Sequence, residues 1–445
     1  MAKSKKQSLA NKDKNLQAKL LAIPLIALLI KFIIIGNIQY HFWIGADGEN
    51  YINALQGLLN DGVFSTEQLL SYWPAGYPLV MYVFGAVSRE NTLVIMAILQ
   101  SIFYALACFY FVKELAKTNL SKFAFWVAII LAINPTLSLS SMVIGYEIIP
   151  AAIFLFGLTF FLREINSGNK KIVSINSASA AALMSLSCFV QPRFLLTSVV
   201  FFLIWAFYTR LKKMIPLFLL INIAIASILP VALVARNVKA NDFTAISTNL
   251  GITMNLGAGT GASGKYEPKG KYGVPCSTIE GNDAEKDSHL VNCVVTWYLK
   301  NPVEAIPLIA RKAKHFWSPW IGPEGAGSMA RNPLLLFHPI KSISANSVEG
   351  NNLVNGNFGK VVSWGWMLGG LILIGLGFRK LWNAAGVSRK LGVISLMIIV
   401  LNWAISVGTL GDHRQRLPIM TMSLFLQAIG FLSIFGKKWA IKKDA

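Results

Sequence analysis

The stretch that decides the fold is IPLFLLINIAIASILPVALVA, residues 215–235. It contains no charged side chain, with Lys212 and Lys213 just before it and Arg236 just after. A bilayer's hydrocarbon core takes about twenty apolar residues of helix to cross, and a strand or irregular chain there would leave backbone groups without partners. The run therefore predicts a transmembrane helix. Working outward, similar runs recur at Leu20–Trp43, Leu93–Val112, Phe123–Leu139, Glu147–Leu162, Val173–Val190, Phe194–Tyr208, Val361–Phe378, Leu391–Leu410 and Leu417–Phe435. The expectation is an all-α polytopic membrane protein of about ten transmembrane helices.

Composition agrees. The 445 residues are 54% hydrophobic and 14% charged, against about 25% charge in an ordinary soluble domain, and mean hydropathy is +0.54. The net charge of +21 first suggests nucleic acid. No basic-aromatic module accompanies it, and membrane proteins concentrate Lys and Arg in cytoplasmic loops, so nucleic acid is excluded as a partner. The polar N-terminus, residues 1–19, leads into a run long enough to span, with no small-residue cleavage site after it. This predicts an uncleaved first helix.

Alternate connections carry the cations: Lys113, Lys117 and Lys122; Arg163, Lys170 and Lys171; Arg210, Lys212 and Lys213; Arg379, Lys380, Arg389 and Lys390. An even number of spans puts these and both basic termini on one face, the cytoplasmic one. The expected units are an N-terminal transmembrane module, residues 1–235, whose first external loop is 44–91; an external loop domain, 236–360, with little regular structure; and C-terminal transmembrane helices, 361–445. Cys108 and Cys188 lie in apolar runs and read as packing residues. Cys276 and Cys293 share the external segment, where an oxidising compartment would let them pair.

The acids and cations of the outer face carry the chemistry. Asp47 and Glu49 follow the first run in ADGENY, residues 46–51. Behind them, Tyr51–Leu59 has the apolar spacing of a helix lying on a membrane, where lower polarity would suit a carboxylate to act as a base. Glu147 opens a span; helix capping is its plain reading, an active-site acid the functional one. Arg193, Arg236, Arg414 and Arg416 stand at outer span ends. Any one could simply snorkel, but several together suit the bidentate grip of a phosphate. Lys31, inside the first run, is a further candidate that could also snorkel outward. Gly259–Gly264 matches a dinucleotide fingerprint and nearly a P-loop with Lys265, yet lacks the flanking strand, and Tyr266 stands where a magnesium-binding hydroxyl is needed. Nucleotide is set aside. What remains is an outer-surface site with a carboxylate base, a second acid and cations for a lipid phosphate.

At this point five islands resemble the GT-C membrane glycosyltransferases, the relatives of protein O-mannosyltransferases and of the aminoarabinose transferase of lipid A. They are ADGENY; WPAGYPL, residues 73–79; GYEIIP, 145–150; ARNVKANDFTAISTNLGITMNLGAGTGASGKY, 235–266; and DHRQRLPIM, 412–420. The resemblance implies transfer of a sugar, with inversion, from a polyprenyl-phosphate donor to an external lipid, glycan or protein acceptor. It implies Asp47 as the catalytic carboxylate or a metal ligand, Glu147 as a second acid, and Arg414 or Arg416 beside the lipid phosphate, with Arg193 and Arg236 assisting. Tyr77, Asn249, Asn255 and Tyr266 fall in its islands as substrate contacts, and the Gly-rich part as a flexible wall or lid. No cofactor is implied with certainty; a divalent metal stays open. Asp-Gly-Glu departs from the adjacent acids of many relatives, so Asp47 and Glu49 compete for the base. The implied location is a bacterial inner membrane, with both termini cytoplasmic and the site periplasmic. A transporter or flippase of lipid-linked sugar, and a polysaccharide polymerase or ligase, are the competing readings.

Overall fold

The structure is a computed structural model and describes residues 2–37, 47–168, 171–265, 273–318, 357–436, 439 and 441. Among these there is helix and no strand. The N-terminal half holds α1 (Ala2–Asn37), α2 (Gly48–Asp61), α3 (Leu69–Tyr72), α4 (Gly76–Gly85), α5 (Thr92–Leu115), α6 (Ser121–Ile133), α7 (Pro135–Ser140), α8 (Ile148–Ser167) and α9 (Ile175–Val190). After it come α10 (Phe194–Thr209), α11 (Ile215–Asn241), α12 (Leu250–Leu256), α13 (Asp283–Lys300), α14 (Pro302–Phe316), α15 (Asn357–Ala384), α16 (Gly386–Gly408) and α17 (Met420–Ile434). Six segments among the described residues are long and apolar enough to cross a membrane: Leu16–Ile33, Thr92–Leu115, Ile148–Ser167, Lys212–Asn241, Gly386–Gly408 and His413–Ile434. Shorter apolar helices are Ser121–Ile133, Ile175–Val190 and Phe194–Thr209. The chain is an integral membrane protein. Among the described residues the expected spans fall on helices, Phe123–Leu139 on two of them, and six segments meet the length of a crossing.

Local chemistry sets several boundaries. The expected span Phe123–Leu139 is broken at Asn134, whose ψ is 118°. Pro135 disfavours helical backbone in the residue before it and offers no N–H to continue the ladder. Asn134 Oδ1 then accepts the Leu137 N–H (3.1 Å) and starts α7. Ser174 and Ser177 form a reciprocal capping box that starts α9, each hydroxyl accepting the other's N–H at 3.1 Å. Gly377 and Gly430 let α15 and α17 touch backbone to backbone. A Cβ on either would come within 2.1 Å of a carbonyl oxygen on the other helix.

Contacts gather the basic connections at one end of the bundle. Arg163 Nε donates to Glu114 Oε1 (3.1 Å), and Lys117 pairs with the same carboxylate (2.9 Å). Arg210 pairs with Glu164 in full burial, Lys390 lies over Tyr208, and Ser388 Oγ donates to Asn119 (2.7 Å). The acids of interest lie at the opposite end.

Two expectations change there. The helix behind Asp47 is present as α2, but it does not lay its apolar face on lipid. Tyr51, Ala54, Leu55 and Leu58 are buried, packed against α4 and the end of α11 through Leu233. Protein, rather than bilayer, covers that stripe because α3 and α4 fold back over it. The segment after Arg236 is also more regular than expected: α11 continues to Asn241, and α12, α13 and α14 follow. Within it Cys276 and Cys293 are joined by a disulfide, Cα–Cα 5.7 Å.

Candidate active site

Asp47 precedes α2, and Arg414 lies in a short 3-10 stretch, His413–Ile419, that leads into α17. Asp412 caps that stretch, its Oδ1 accepting the Arg414 N–H (2.9 Å). The cap turns the Arg414 side chain back, and its Nη2 donates to Asp47 Oδ2 at 2.5 Å. The pair joins residues 367 apart in sequence. The Arg414 and Asp47 side chains stay 23% and 17% exposed, so a ligand can still reach both.

Glu147 stands just before α8 and is buried, 2% exposed. It stands at the N-cap of α8, where the helix dipole favours a carboxylate, and its side chain makes no capping hydrogen bond. It lies within electrostatic reach of Tyr51, Tyr77, Tyr146 and Arg414. Burial pushes the Tyr51 phenol well above its usual value, with Asp47, Tyr146 and Glu147 adding to the shift and Arg414 opposing it. Burial raises Tyr146 too, against the pull of Arg193. Gln191 donates to the Tyr146 hydroxyl (3.1 Å). Arg193, before α10, lies over Phe194, and its buried Nε finds no acceptor among the described residues. Asp47, Tyr51, Tyr146, Glu147, Arg193 and Arg414 thus converge from α2, α8, α10 and the 412–416 turn.

The other expected residues lie elsewhere. Glu49 is exposed on the first turn of α2. Arg416 donates to the Ser318 carbonyl (2.6 Å) and lies over Trp317, tying the end of α14 to the turn rather than facing Asp47. Arg236 spends Nε, Nη1 and Nη2 on the carbonyls of Val63, Leu70 and Ser65 and on Asn237. It clamps the first loop to α11, which occupies the donors a phosphate would need. Tyr77 is fully buried, and its hydroxyl is held by Gln100 and Gly145 at 3.0 Å each. Asn255 accepts the Val274 N–H (2.8 Å), and Asn249 accepts Ser247 Oγ (3.2 Å), so both serve local turns. Tyr266 lies outside the described residues.

The Gly-rich segment is pinned rather than free. Arg311 donates to the Ala262 carbonyl (3.0 Å), His315 meets the Ser263 carbonyl (3.2 Å), and the Gly411 N–H donates to the Gly264 carbonyl (3.0 Å). Gly259 and Gly264 have φ of +105° and +87°, backbone that favours glycine. Beneath them Lys312 is fully buried and donates to the Thr409 carbonyl (2.5 Å). Burial lowers its pKa to about 8. The N-terminus of α12, a natural place for an anion, is taken by Asp287, whose Oδ1 accepts the Gly251 N–H (2.7 Å). Sequence reading missed Lys312, Asp287 and Tyr146. Only Tyr146 had a signal, its place beside Glu147.

For a metal, Asp47 offers one carboxylate, whose Oδ2 already accepts from Arg414. The one group of three close donors among the described residues is Cys276, His289 and Cys293, and its two sulfurs are bonded to each other.

Fold and site together define an all-α integral membrane protein with an acid–arginine site at one end of its helix bundle. No protein-family profile and no curated protein matches the chain. Among solved structures it is similar to the archaeal oligosaccharyltransferase AglB from Archaeoglobus fulgidus in complex with an inhibitory peptide and a dolichol-phosphate, at 13% identity and a TM-score of 0.47, covering 94% of this chain and 50% of that one. The apo form of the Archaeoglobus fulgidus oligosaccharyltransferase gives 14% identity and a TM-score of 0.49, with 94% and 50% covered. The chain spans about half the length of these proteins. No activity follows from likeness at this level.

Proposed function

We propose that the chain is a membrane glycosyltransferase that moves a sugar from a polyprenyl-phosphate carrier to a hydroxyl or amine of a lipid, glycan or protein acceptor, with inversion. The observation that carries this reading is the Asp47–Arg414 pair with Glu147 in reach, because such a transfer needs those charges in one place. A base takes the acceptor proton while the phosphate leaves from the opposite face of the sugar. A lipid phosphate is already a good leaving group and needs cations more than a proton donor.

In this scheme the Asp47 carboxylate accepts the acceptor's proton. Arg414, and Arg193 with its spare Nε, take the charge that develops on the phosphate. Glu147 holds Arg414 from the buried side, so that the guanidinium keeps its aim when Asp47 turns to the acceptor. The site would open on the periplasmic face of a bacterial inner membrane, with the Lys- and Arg-rich end in the cytoplasm. A transporter of lipid-linked sugar is favoured less: its ionisable groups belong near the bilayer midplane on broken helices, whereas these sit beyond helix ends.

The experiment is mass spectrometry of lipid-linked sugars in cells lacking the protein, complemented with wild type or Asp47→Asn. A polyprenyl-phosphate monosaccharide should accumulate in the deletion and in the Asp47→Asn strain, and the acceptor should lose one sugar. An unchanged pool of such lipids would reject the reading. Accumulation on the cytoplasmic leaflet alone would move it to the transporter.

A further inference from the structure

The first apolar helix keeps one lysine in its apolar run. Lys31 is 2% exposed, so it does not snorkel to the interface. Ionisable groups inside a membrane span are costly and are kept where something is gained. No carboxylate pairs with Lys31 among the described residues; its titratable neighbours are Cys108 and Tyr104. Its Nζ lies 5.1 Å from the centre of the Tyr104 ring and donates to Ser141 Oγ at 3.0 Å.

Ser141 begins the irregular segment between α7 and α8 that ends at Glu147. Backbone groups buried there need partners, and a membrane interior supplies no water. Side chains from elsewhere supply them. Gln100 on α5 donates from Nε2 to the carbonyls of Val143 (3.1 Å) and Ser141 (3.5 Å). Its neighbour Ser101 places Oγ 3.1 Å from Ser141 Oγ. Gln100 Oε1 accepts the Tyr77 hydroxyl (3.0 Å), and that hydroxyl accepts the Gly145 N–H (3.0 Å). Tyr77 is fully buried, and Gln100 is 3% exposed. The result is a continuous hydrogen-bonded chain from Lys31 through Ser141 and Gln100 to Tyr77, gripping the segment at Ser141, Val143 and Gly145.

We propose that Lys31, Gln100 and Tyr77 are positioning residues: together they fix the path of Ser141–Glu147 and so aim Glu147 at Arg414. Tyr77 acts from behind the segment, with no contact to substrate. The consequence for transfer rests on the function proposed above; the effect on the segment does not.

The test uses the full chain in lipid nanodiscs. Amide exchange is followed by mass spectrometry for residues 142–147 and, as an internal reference, 152–162 of α8. The variants are Lys31→Met, Ser141→Ala, their double, and Tyr77→Phe, which removes a single oxygen atom and is the mildest to fold. Loss of one buried charge-assisted contact should speed exchange of 142–147 about tenfold or more, with the reference unchanged. Lys31→Met should add nothing to Ser141→Ala, since Ser141→Ala already removes the bond to Lys31 along with the contact to Ser101. Unchanged exchange of 142–147 in Tyr77→Phe, a rise spread equally over the reference, or additive effects of the Lys31 and Ser141 variants would each overturn the proposal. In a transfer assay Tyr77→Phe should lower kcat, with a smaller rise in donor KM than Arg414→Ala gives. A raised KM with kcat kept would make Tyr77 a substrate contact instead. Faster exchange in a protein whose wild type transfers no sugar would sink the proposed function and leave the positioning role standing.

Discussion

Asp47→Asn is the sharpest perturbation the site offers, because it changes charge and almost nothing else. Asparagine keeps the size and a hydrogen-bond acceptor for Arg414 Nη2, now 2.5 Å from Asp47 Oδ2. The side chains are 23% and 17% exposed, between a surface pair, worth under about 1 kcal/mol, and a desolvated one, whose loss costs about 2–5 kcal/mol. Arg414 also keeps Asp412 and Glu147 nearby, so the guanidinium is not stranded. A stability loss of about 1–3 kcal/mol is expected. Removing a general base costs a factor of about a hundred to ten thousand in rate, or about 3–5 kcal/mol of barrier. The two losses separate in assay. Purified variant in nanodiscs should unfold a little earlier, bind donor, and transfer labelled sugar at under about one hundredth of the wild-type kcat. Glu49→Gln, exposed on the first turn of α2, is the matched control and should stay within about tenfold of wild type. Near-normal kcat in Asp47→Asn would refute the assignment, and a dead Glu49→Gln beside it would move the base two residues along.

Arg414→Ala should raise the donor concentration needed for half-saturation some thirtyfold to a hundredfold, about 2–3 kcal/mol, whereas Arg416→Ala should chiefly lower stability, read by thermal unfolding beside donor titration. Lys312 gives a pH effect. Its folded pKa, about 8 against 10.5 unfolded, makes the unfolded chain bind more protons between those values, so stability should rise as pH climbs from about 8 to 10.5; the rise should shrink in Lys312→Met, and an identical pH slope in both would refute it. Thr66→Cys, exposed on the acid end, should react with an impermeant thiol reagent from outside intact cells and Ser167→Cys, exposed on the basic end, should not; the reverse pattern inverts the orientation. Denaturing alkylation without reductant should leave Cys276 and Cys293 unmodified, since they form a disulfide.

The membrane class was legible because one physical rule, the length of apolar helix, writes itself into every span. Helix ends were legible where a local signal existed, such as the serines before α9, and misjudged where a single residue overrode hydropathy, as Pro135 did. The convergence of Asp47, Glu147 and Arg414 was legible only as a shared end of the bundle. Which arginine faces which acid was not, because Arg193, Arg236, Arg414 and Arg416 look alike in sequence. What separates them is whether a backbone carbonyl lies within reach, and that depends on loops folded from distant parts of the chain. Arg236 and Arg416 found carbonyls and became clamps. Arg414 found a carboxylate. Lys312 was invisible for the same reason: nothing in ARKAKHF says that the first of its two lysines is the buried one.

The arrangement also explains why the glycines of the 257–264 segment need not mean mobility. A Cβ on Gly264 would meet the Lys312 side chain at 2.9 Å, one on Gly257 would meet Leu410 at 2.9 Å, and one on Gly411 would meet the Lys312 backbone at 2.6 Å. These glycines permit close approach between the segment, α14 and the turn that carries Arg414. That turn has little regular structure of its own to hold it. Asp412 caps it from within, Lys312 holds the Thr409 carbonyl, and the Gly264 carbonyl takes the Gly411 N–H. On the far side of the ion pair, Glu147 arrives on a segment gripped at Ser141, Val143 and Gly145. Both halves of the site are thus loops made rigid from behind by buried polar side chains. A charge pair between two free loops would spend its attraction on ordering them. Held from behind, Arg414 meets Asp47 with the ordering of its own turn already done.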